Sequence, residues 1–373
     1  MNNGNNTFVE LHMIQNFAPS CLNRDDTNAP KDCEFGGFRR ARISSQCIKR
    51  SIRMNEHFQE TLRGHLSNRS LQYPQQVYEE LLRLGIAEKD AASIGKALQN
   101  IAKKDKEKVG QDEEGTSTEE VEYKTPQMIF FSGDEVKECA ERIVKLLEDH
   151  KPKDIVDKKN RKLKDGNPLP DPRTADIALF GRMVTSPFFR DIEAACQVAQ
   201  AVSTHKVSME MDFYTAVDDL NRDEDTGAGM MGVIEFNSSC FYRYALIDMK
   251  QLAENLGRDS ALAKKTVEAF LRSSANAIPT GKQNSMAAQN PPSFIFSVVR
   301  NGGAPWSLAN TFEKPVRATR DKGIVEASIS SLCDYWAKLS KLYGENGIRS
   351  KAVALMDGDS LKDPLAECVV DNF

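Results

Sequence analysis

Thr7–Phe17, TFVELHMIQNF, sets Val9, Leu11 and Met13 against Glu10 and His12 in alternation. A period of two is the signature of an extended strand, so the chain opens on β structure. Downstream come SCLNRDD (Ser20–Asp26) and a Gly-rich corner, FGGF (Phe35–Phe38). From Ser44 the spacing turns helical. Ser44 or Ser45 suits an N-cap, and Cys47, Ile48, Ser51, Ile52 and Met54 are expected to face a core. Residues from about 57 to 180 read mostly as helix. Strands resume at Lys206–Val217 and Gly232–Ile247, which flank NRDEDTGAGMMG, a long hairpin tip. A helix over Ser260–Ala277, a strand over Ser293–Arg300, a helix over Gly323–Tyr343 and a strand over Ala352–Met356 complete the reading. With the helical stretch and the hairpin set aside, the order is β-α-β-β-α-β. That is the ferredoxin-like or RRM plan, an α+β fold carrying two large insertions.

The 373 residues are 40% hydrophobic and 28% charged, as expected of a globular protein. No apolar run reaches 18 residues, so no membrane span is expected. MNNGNNTFVE has neither a basic nor an apolar leader segment, and a cytoplasmic location is expected. The eight cysteines form no CxxC pair, which argues against a zinc knuckle and for reduced thiols. Gly-rich nucleotide loops, GxSxG and HExxH are all missing, and the five histidines do not cluster. No cofactor and no metal is therefore expected. Two acidic pairs, Asp25–Asp26 and Asp218–Asp219, deserve weighing, but sequence neighbours point apart on an extended chain, so each pair offers at most one ligand. The acidic stretch Val109–Lys124 reads as a solvated loop.

RRARISSQCIKRSIR, Arg39–Arg53, holds six basic and no acidic residues in a chain of net charge −4. On a helix from Ser45, Gln46, Lys49, Arg50 and Arg53 fall at i, i+3, i+4 and i+7, one face about 10 Å long at ~1.5 Å per residue. A solvated face normally interleaves Glu with Lys, because like charges repel. Unmixed positive charge, with Arg39, Arg40 and Arg42 upstream and a helix N-terminus beside it, suits a run of phosphates. Phe213 and Tyr214 sit on opposite faces of a strand leading to the hairpin, where an exposed ring can stack on bases. Arg182 and Met183 lie in GRMVTS, Gly181–Ser186, after the helical stretch.

Taken together, SCLNRDD, FGGFRRARISSQCIKR (Phe35–Arg50), ADIALFGRMVTS (Ala175–Ser186), DFYTAVDDL (Asp212–Leu220), FYRYA (Phe241–Ala245) and LANTFEK (Leu308–Lys314) resemble CasC. CasC is the backbone subunit of Cascade, the type I-E CRISPR interference complex. The resemblance implies an RRM-like palm, an inserted helical fingers domain and a β-hairpin thumb. The palm would begin at 1–56, the fingers occupy 57–180, a palm helix 181–204, the thumb and a palm strand 205–245, and the second palm part 246–373.

The function implied is a non-enzymatic subunit that winds, in about six copies, along the spacer of a CRISPR RNA, leaving sequence to be read by base pairing. Target DNA, other Cascade subunits and a recruited helicase-nuclease would be its further partners. Arg24, Gln46, Lys49 and Arg53 would hold guide phosphates, with Arg39, Arg40, Arg50 and Arg182 in the same RNA-binding set. Met183 would press on guide bases, and Phe213, Tyr214, Thr215 and Val217 would wedge around a displaced nucleotide. The thumb pair is Phe-Tyr where the family often has Trp. Lys158, Lys159, Arg161 and Lys162, in the basic cluster Lys151–Lys164, suggest contact with target DNA. Two other readings stand beside this one. One is a metal-dependent endoribonuclease using Asp25, Asp26, Asp218 or Asp219, and the other is a generic RRM-type RNA-binding protein.

Overall fold

The computed structural model describes residues 6–101, 122–157, 160–184, 186–216 and 230–355. The chain runs β1 (Thr7–Ser20), β2 (Asp32–Phe35), β3 (Phe38–Ile43), α1 (Ser45–Arg53) and α2 (Glu56–Thr61). Then follow β4 (Asn68–Ser70), α3 (Tyr73–Arg83), α4 (Glu88–Leu98), β5 (Ile129–Phe131), α5 (Gly133–Leu146), β6 (Val156–Asp157), β7 (Lys162–Leu163) and α6 (Ala175–Phe180). After these come β8 (Cys196–Val198), β9 (Ala201–Ser203), β10 (Glu210–Ala216), β11 (Met230–Asp248), α7 (Met249–Asn255), α8 (Ser260–Asn276) and α9 (Gln283–Met286). β12 (Phe294–Asn301), α10 (Ile324–Tyr343) and β13 (Ile348–Leu355) close the described chain. The fold is mixed α/β with one large antiparallel sheet, divided into two compact units.

The first unit comprises Met1–Thr61, Cys196–Lys250 and Lys264–Phe373 and holds the large sheet, in the order β13-β12-β1-β11-β9-β3-β2. β8 and β10 also pair with β11. β1 lies at the centre, antiparallel to both neighbours, with Met13 opposite Arg243 of β11 and Ile295 of β12. Every residue from Val9 to Gln15 is buried, the alternating polar positions Glu10 and His12 included. Met13 shares a small cavity with Ile48 and Ile52 of α1, while Ile14 packs in a cluster with Leu332 and Trp336 of α10. Both faces are covered, so the polar positions find partners inside.

Glu10 accepts from Arg300 Nε (2.9 Å) and from the Trp306 N–H (2.7 Å), and the guanidinium lies 4.4 Å over the Trp306 ring. Burial pushes the Glu10 carboxyl up, and the Arg300 ion pair pulls against it. His12 shares a 2.8 Å hydrogen bond with the Tyr242 hydroxyl, which accepts the Leu308 N–H at 2.9 Å. Packed among the rings of Tyr242, Tyr244, Phe296 and Trp336, the imidazole is held neutral, its pKa lowered by burial to about 3.

The second unit, Leu62–Ala195 with Gln251–Ala263, has its own core of Tyr73, Val77, Leu81, Ile94, Phe131 and Ile143. Helices α3, α4 and α5 carry most of it, beside the two-stranded pairs β4–β5 and β6–β7. Of the acidic stretch only 122–124 is described. The expected palm helix at 181–204 is a correction. Among its described residues there is no helix; its first residues belong to the second unit, and its last form β8 and β9 against β11. Ala and Gln there have helical propensity, but a free edge of β11 decides the outcome.

Candidate nucleic-acid interface

Ser44 caps α1: its backbone is extended and its Oγ accepts the Cys47 N–H at 3.3 Å. Its own N–H donates to Asn23 Oδ1 (2.9 Å), which ties the helix start to the Ser20–Asp26 loop. Ile48 and Ile52 are buried, so Gln46, Lys49, Arg50 and Arg53 lie on the opposite side of the helix. Gln46 and Arg50 are exposed, and Lys49 and Arg53 half-buried. The first turn has no acidic residue, and Arg50 and Arg53 occupy the last turn, where the helix dipole favours cations. Cys47, Ser51 and Met54, expected in the core, instead take a third side of the helix; Met54 is 53% exposed.

That third side borders a groove of about 700 Å³, lined also by Arg24, Asp25, Asp26, Asn28, Arg50 and Gly281. A Cβ at Gly281 would stand 2.3 Å from the Leu22 carbonyl oxygen, so only glycine lets the two backbones approach. Arg24 and Arg50 thus meet at one site from distant parts of the sequence. Arg24 donates to Asn28 Oδ1. Asp25 Oδ1 accepts from Thr27 N (2.9 Å), Thr27 Oγ1 (2.8 Å) and Ala29 N (3.0 Å), and those bonds lower its pKa. It folds the loop. Among the described residues no three His, Cys, Asp or Glu side chains converge as a metal cluster, and the seven described cysteines are free thiols. Asp218 and Asp219 lie outside the described residues.

The upstream arginines behave differently from the helix face. Gly36 and Gly37, at φ +62° and +76°, turn β2 into β3. Arg39 pairs with Asp32 across this hairpin and stays 60% exposed. Arg40 is fully buried and donates to the carbonyl oxygens of Ser203 (2.8 Å), Phe312 (2.7 Å) and Glu313 (3.1 Å). Its assignment to RNA is corrected: it fastens β3 to the Leu308–Lys314 segment. Arg42 donates to the Asp32 carbonyl (3.1 Å) and to the Gln200 side chain. Much of the charge that looked unmixed is therefore used to hold the hairpin.

Arg182 is a second correction. It is 4% exposed, and its guanidinium donates to Glu135 (2.8 and 3.0 Å), to the Phe130 carbonyl (3.0 Å) and twice to the Arg190 carbonyl (3.1 and 3.0 Å). Glu135 is also the N3 residue of the Ser132 capping box of α5. Its carboxyl is pushed up by burial and pulled down by Arg182. Met183 follows this anchor and is 90% exposed. A soft apolar side chain fully in water on a fixed backbone is free to meet a flat partner.

β10 and β11 make an exposed ribbon. Phe213 pairs with Val233, so Met211, Phe213 and Val233 share one face, at 71%, 62% and 59% exposure. Tyr214 is on the other face over Gly232, where a Cβ would stand 2.3 Å from its ring. Thr215 is exposed as well, and Val217 lies outside the described residues. Of the basic cluster in the second unit, Arg161 and Lys162 are half-buried at the β6–β7 turn; Lys158 and Lys159 lie outside the described residues.

A protein-family model described as CT1975-like protein matches residues 9–371. The chain belongs to the CT1975-like protein family. This CT1975-like chain also superposes on solved structures along nearly its whole length. One is a chain of a "CRISPR RNA-guided surveillance complex, pre-nicking", at 27% identity and TM-score 0.75, covering 95% of this chain and 93% of that one. Another, from a "CRISPR RNA-guided surveillance complex", has 24% identity and TM-score 0.57, covers 98% and 95%, and speaks for the fold alone. No curated protein matches. No helix among the described residues is long and apolar enough to cross a membrane.

Proposed function

We propose that this CT1975-like protein is a non-catalytic CRISPR RNA-binding subunit that multimerises along the guide spacer as the backbone of a type I-E Cascade complex, as CasC does. The observation that carries the reading is the α1 side bearing Gln46, Lys49, Arg50 and Arg53, with Arg24 joining Arg50 in the groove beside it. Phosphate contacts of this kind position a strand without reading its sequence, and base pairing then supplies the specificity. Met183 and the Met211–Phe213 face are apolar surfaces that suit bases, and Tyr214 is a second ring on the same ribbon. Its strand order, with β1 between β11 and β12, supports an RRM-like palm. The helical second unit corresponds to fingers and the β10–β11 ribbon to a thumb. Guide RNA, target DNA, further copies and other Cascade subunits are the partners, with cutting left to a recruited helicase-nuclease.

The Lys49→Ala, Arg53→Ala double variant tests the reading. It weakens guide binding about equally for every spacer sequence, and the slope of log affinity against log salt shrinks by about 0.7 per lost phosphate contact. An unchanged affinity and slope contradict the assignment of this side of α1. For the absence of catalysis, complementary RNA incubated with the assembled complex and Mg²⁺ stays intact; cleavage at regular intervals contradicts it. The use of Asp25 in folding its own loop supports the non-catalytic reading.

A further inference from the structure

A second open pocket, of about 510 Å³, lies in the first unit at the root of the β10–β11 ribbon. Residue parity along β1 places it. Ile14 packs towards α10, and Asn16, two residues on and before the register shift beyond Phe17, shares that side. The pocket therefore lies on the sheet face opposite α1.

Its walls include Asn16, Phe38, Lys206, Ser238, Arg317 and Ile324. Lys206 and Arg317 are exposed, and neither makes an ion pair among the described residues. No carboxylate lines the pocket. Phe38 is 39% exposed and stacks on no other ring among the described residues. His205 adds no charge: its Nε2 accepts the Cys240 N–H (3.1 Å), its Nδ1 bonds to the Lys206 carbonyl (2.9 Å), and burial lowers its pKa.

The site is also built on fixed backbone. Val207 N–H donates to Arg39 O (3.0 Å), next to Lys206, and Val316 N–H donates to Thr204 O (2.9 Å), next to Arg317. The two cations are thus carried by segments tied to the same sheet.

Two cations without an acidic neighbour repel each other unless an anion sits between them. An inorganic anion or an acidic peptide answers to those charges but leaves the exposed ring and the adjoining Asn16 amide unused. A nucleotide uses all of them, with its phosphate on the cations and its base on the ring. The volume falls within the range of small-ligand sites.

We propose that this pocket holds a phosphate and a stacked base of single-stranded nucleic acid, on the sheet face opposite the α1 side. It rests on the reading above only in supposing that the chain meets a single strand.

The purified full-length chain is titrated with fluorescent single-stranded RNA and, separately, single-stranded DNA. Photo-crosslinking then uses 5-iodouridine- or 5-iododeoxyuridine-substituted strands. Lys206→Ala, Arg317→Ala is expected to weaken binding about five- to thirty-fold and to reduce the salt slope by about 0.7, for the one phosphate the two cations hold. Phe38→Ala is expected to abolish a crosslink mapping to Phe38 while the melting temperature holds. If RNA and DNA arms differ, the stronger identifies the strand. Loss of binding in Lys49→Ala, Arg53→Ala with none in Lys206→Ala, Arg317→Ala overturns this inference and leaves the proposed function standing. No single-strand binding by the unaltered chain removes both. Tighter binding of polyglutamate than of either strand, lost in the same double variant, overturns the inference in favour of an acidic protein segment.

Discussion

Arg182 and Glu135 form a buried ion pair, Nη1 standing 2.8 Å from Oε1 and 3.0 Å from Oε2, and the neighbouring Met183 projects into solvent. Removing one partner strands the other charge in the core. Arg182→Ala is expected to destabilise the protein by about 3–5 kcal/mol, whereas Met183→Ala changes stability by less than about 0.5 kcal/mol. Urea unfolding of the two variants checks this, and equal losses would contradict the division between anchor and presented side chain.

The glycine pair of the β2–β3 turn separates strain from collision. Both residues have positive φ, so an alanine at either costs roughly 1–2 kcal/mol of backbone strain. At Gly37 a Cβ meets nothing, but at Gly36 it would stand 1.9 Å from the Glu313 carbonyl oxygen, beside the Arg40 bonds. Gly36→Ala is therefore expected to cost about 1–3 kcal/mol more than Gly37→Ala, by the usual price of overpacking. Thermal unfolding of the pair decides, and equal melting temperatures would sink the idea of a pinned hairpin.

How far these features were legible in the sequence depends on how far away their partners lie. The cap and periodicity of α1 are local, and they placed Gln46, Lys49, Arg50 and Arg53 on one side correctly. β1 was legible as a strand, but its burial on both faces was not. Glu10 is held by Arg300 and His12 Nδ1 by Tyr242, which lie 290 and 230 residues away in sequence. Arg40 and Arg182 look like any exposed arginine until Phe312 and Glu135 arrive beside them. At 196–203 the pairing with β11 overrode local helical preference. The pocket at Phe38, Lys206 and Arg317 gathers residues from three separate segments and left no motif.

His12 makes the fold acid-sensitive in a defined window. Its pKa is about 3 in the folded state, against an ordinary value near 6.5 in the unfolded chain. Between those values the unfolded chain binds a proton that the folded one does not, so stability falls as pH drops from about 6.5 towards 3. The raised carboxyl of Glu10 works in the opposite sense, gaining stability as it protonates. His12→Phe leaves the Tyr242 hydroxyl bonded to the Leu308 N–H and should flatten the decline. Unfolding free energies from pH 7 to 4 test it; parallel curves for the two proteins would count against a buried neutral imidazole.

The ribbon makes a separable prediction. Phe213→Ala and Tyr214→Ala each remove an exposed ring, so stability should hold while single-strand binding loses about 1–3 kcal/mol per lost stack. Gly232→Ala displaces the Tyr214 ring and should reproduce the Tyr214→Ala loss. Binding isotherms with one single-stranded RNA compare all three; unaltered affinity in Phe213→Ala would remove the base-contact role.

The central claim is that the α1 side and the groove beside it hold a guide strand. Sequencing the RNA that copurifies with the protein from its native host tests it most directly. The account predicts RNAs of uniform length that carry spacers joined to repeat-derived ends, and depletion of that RNA in the Lys49→Ala, Arg53→Ala variant. Heterogeneous cellular RNA, or none, would contradict it.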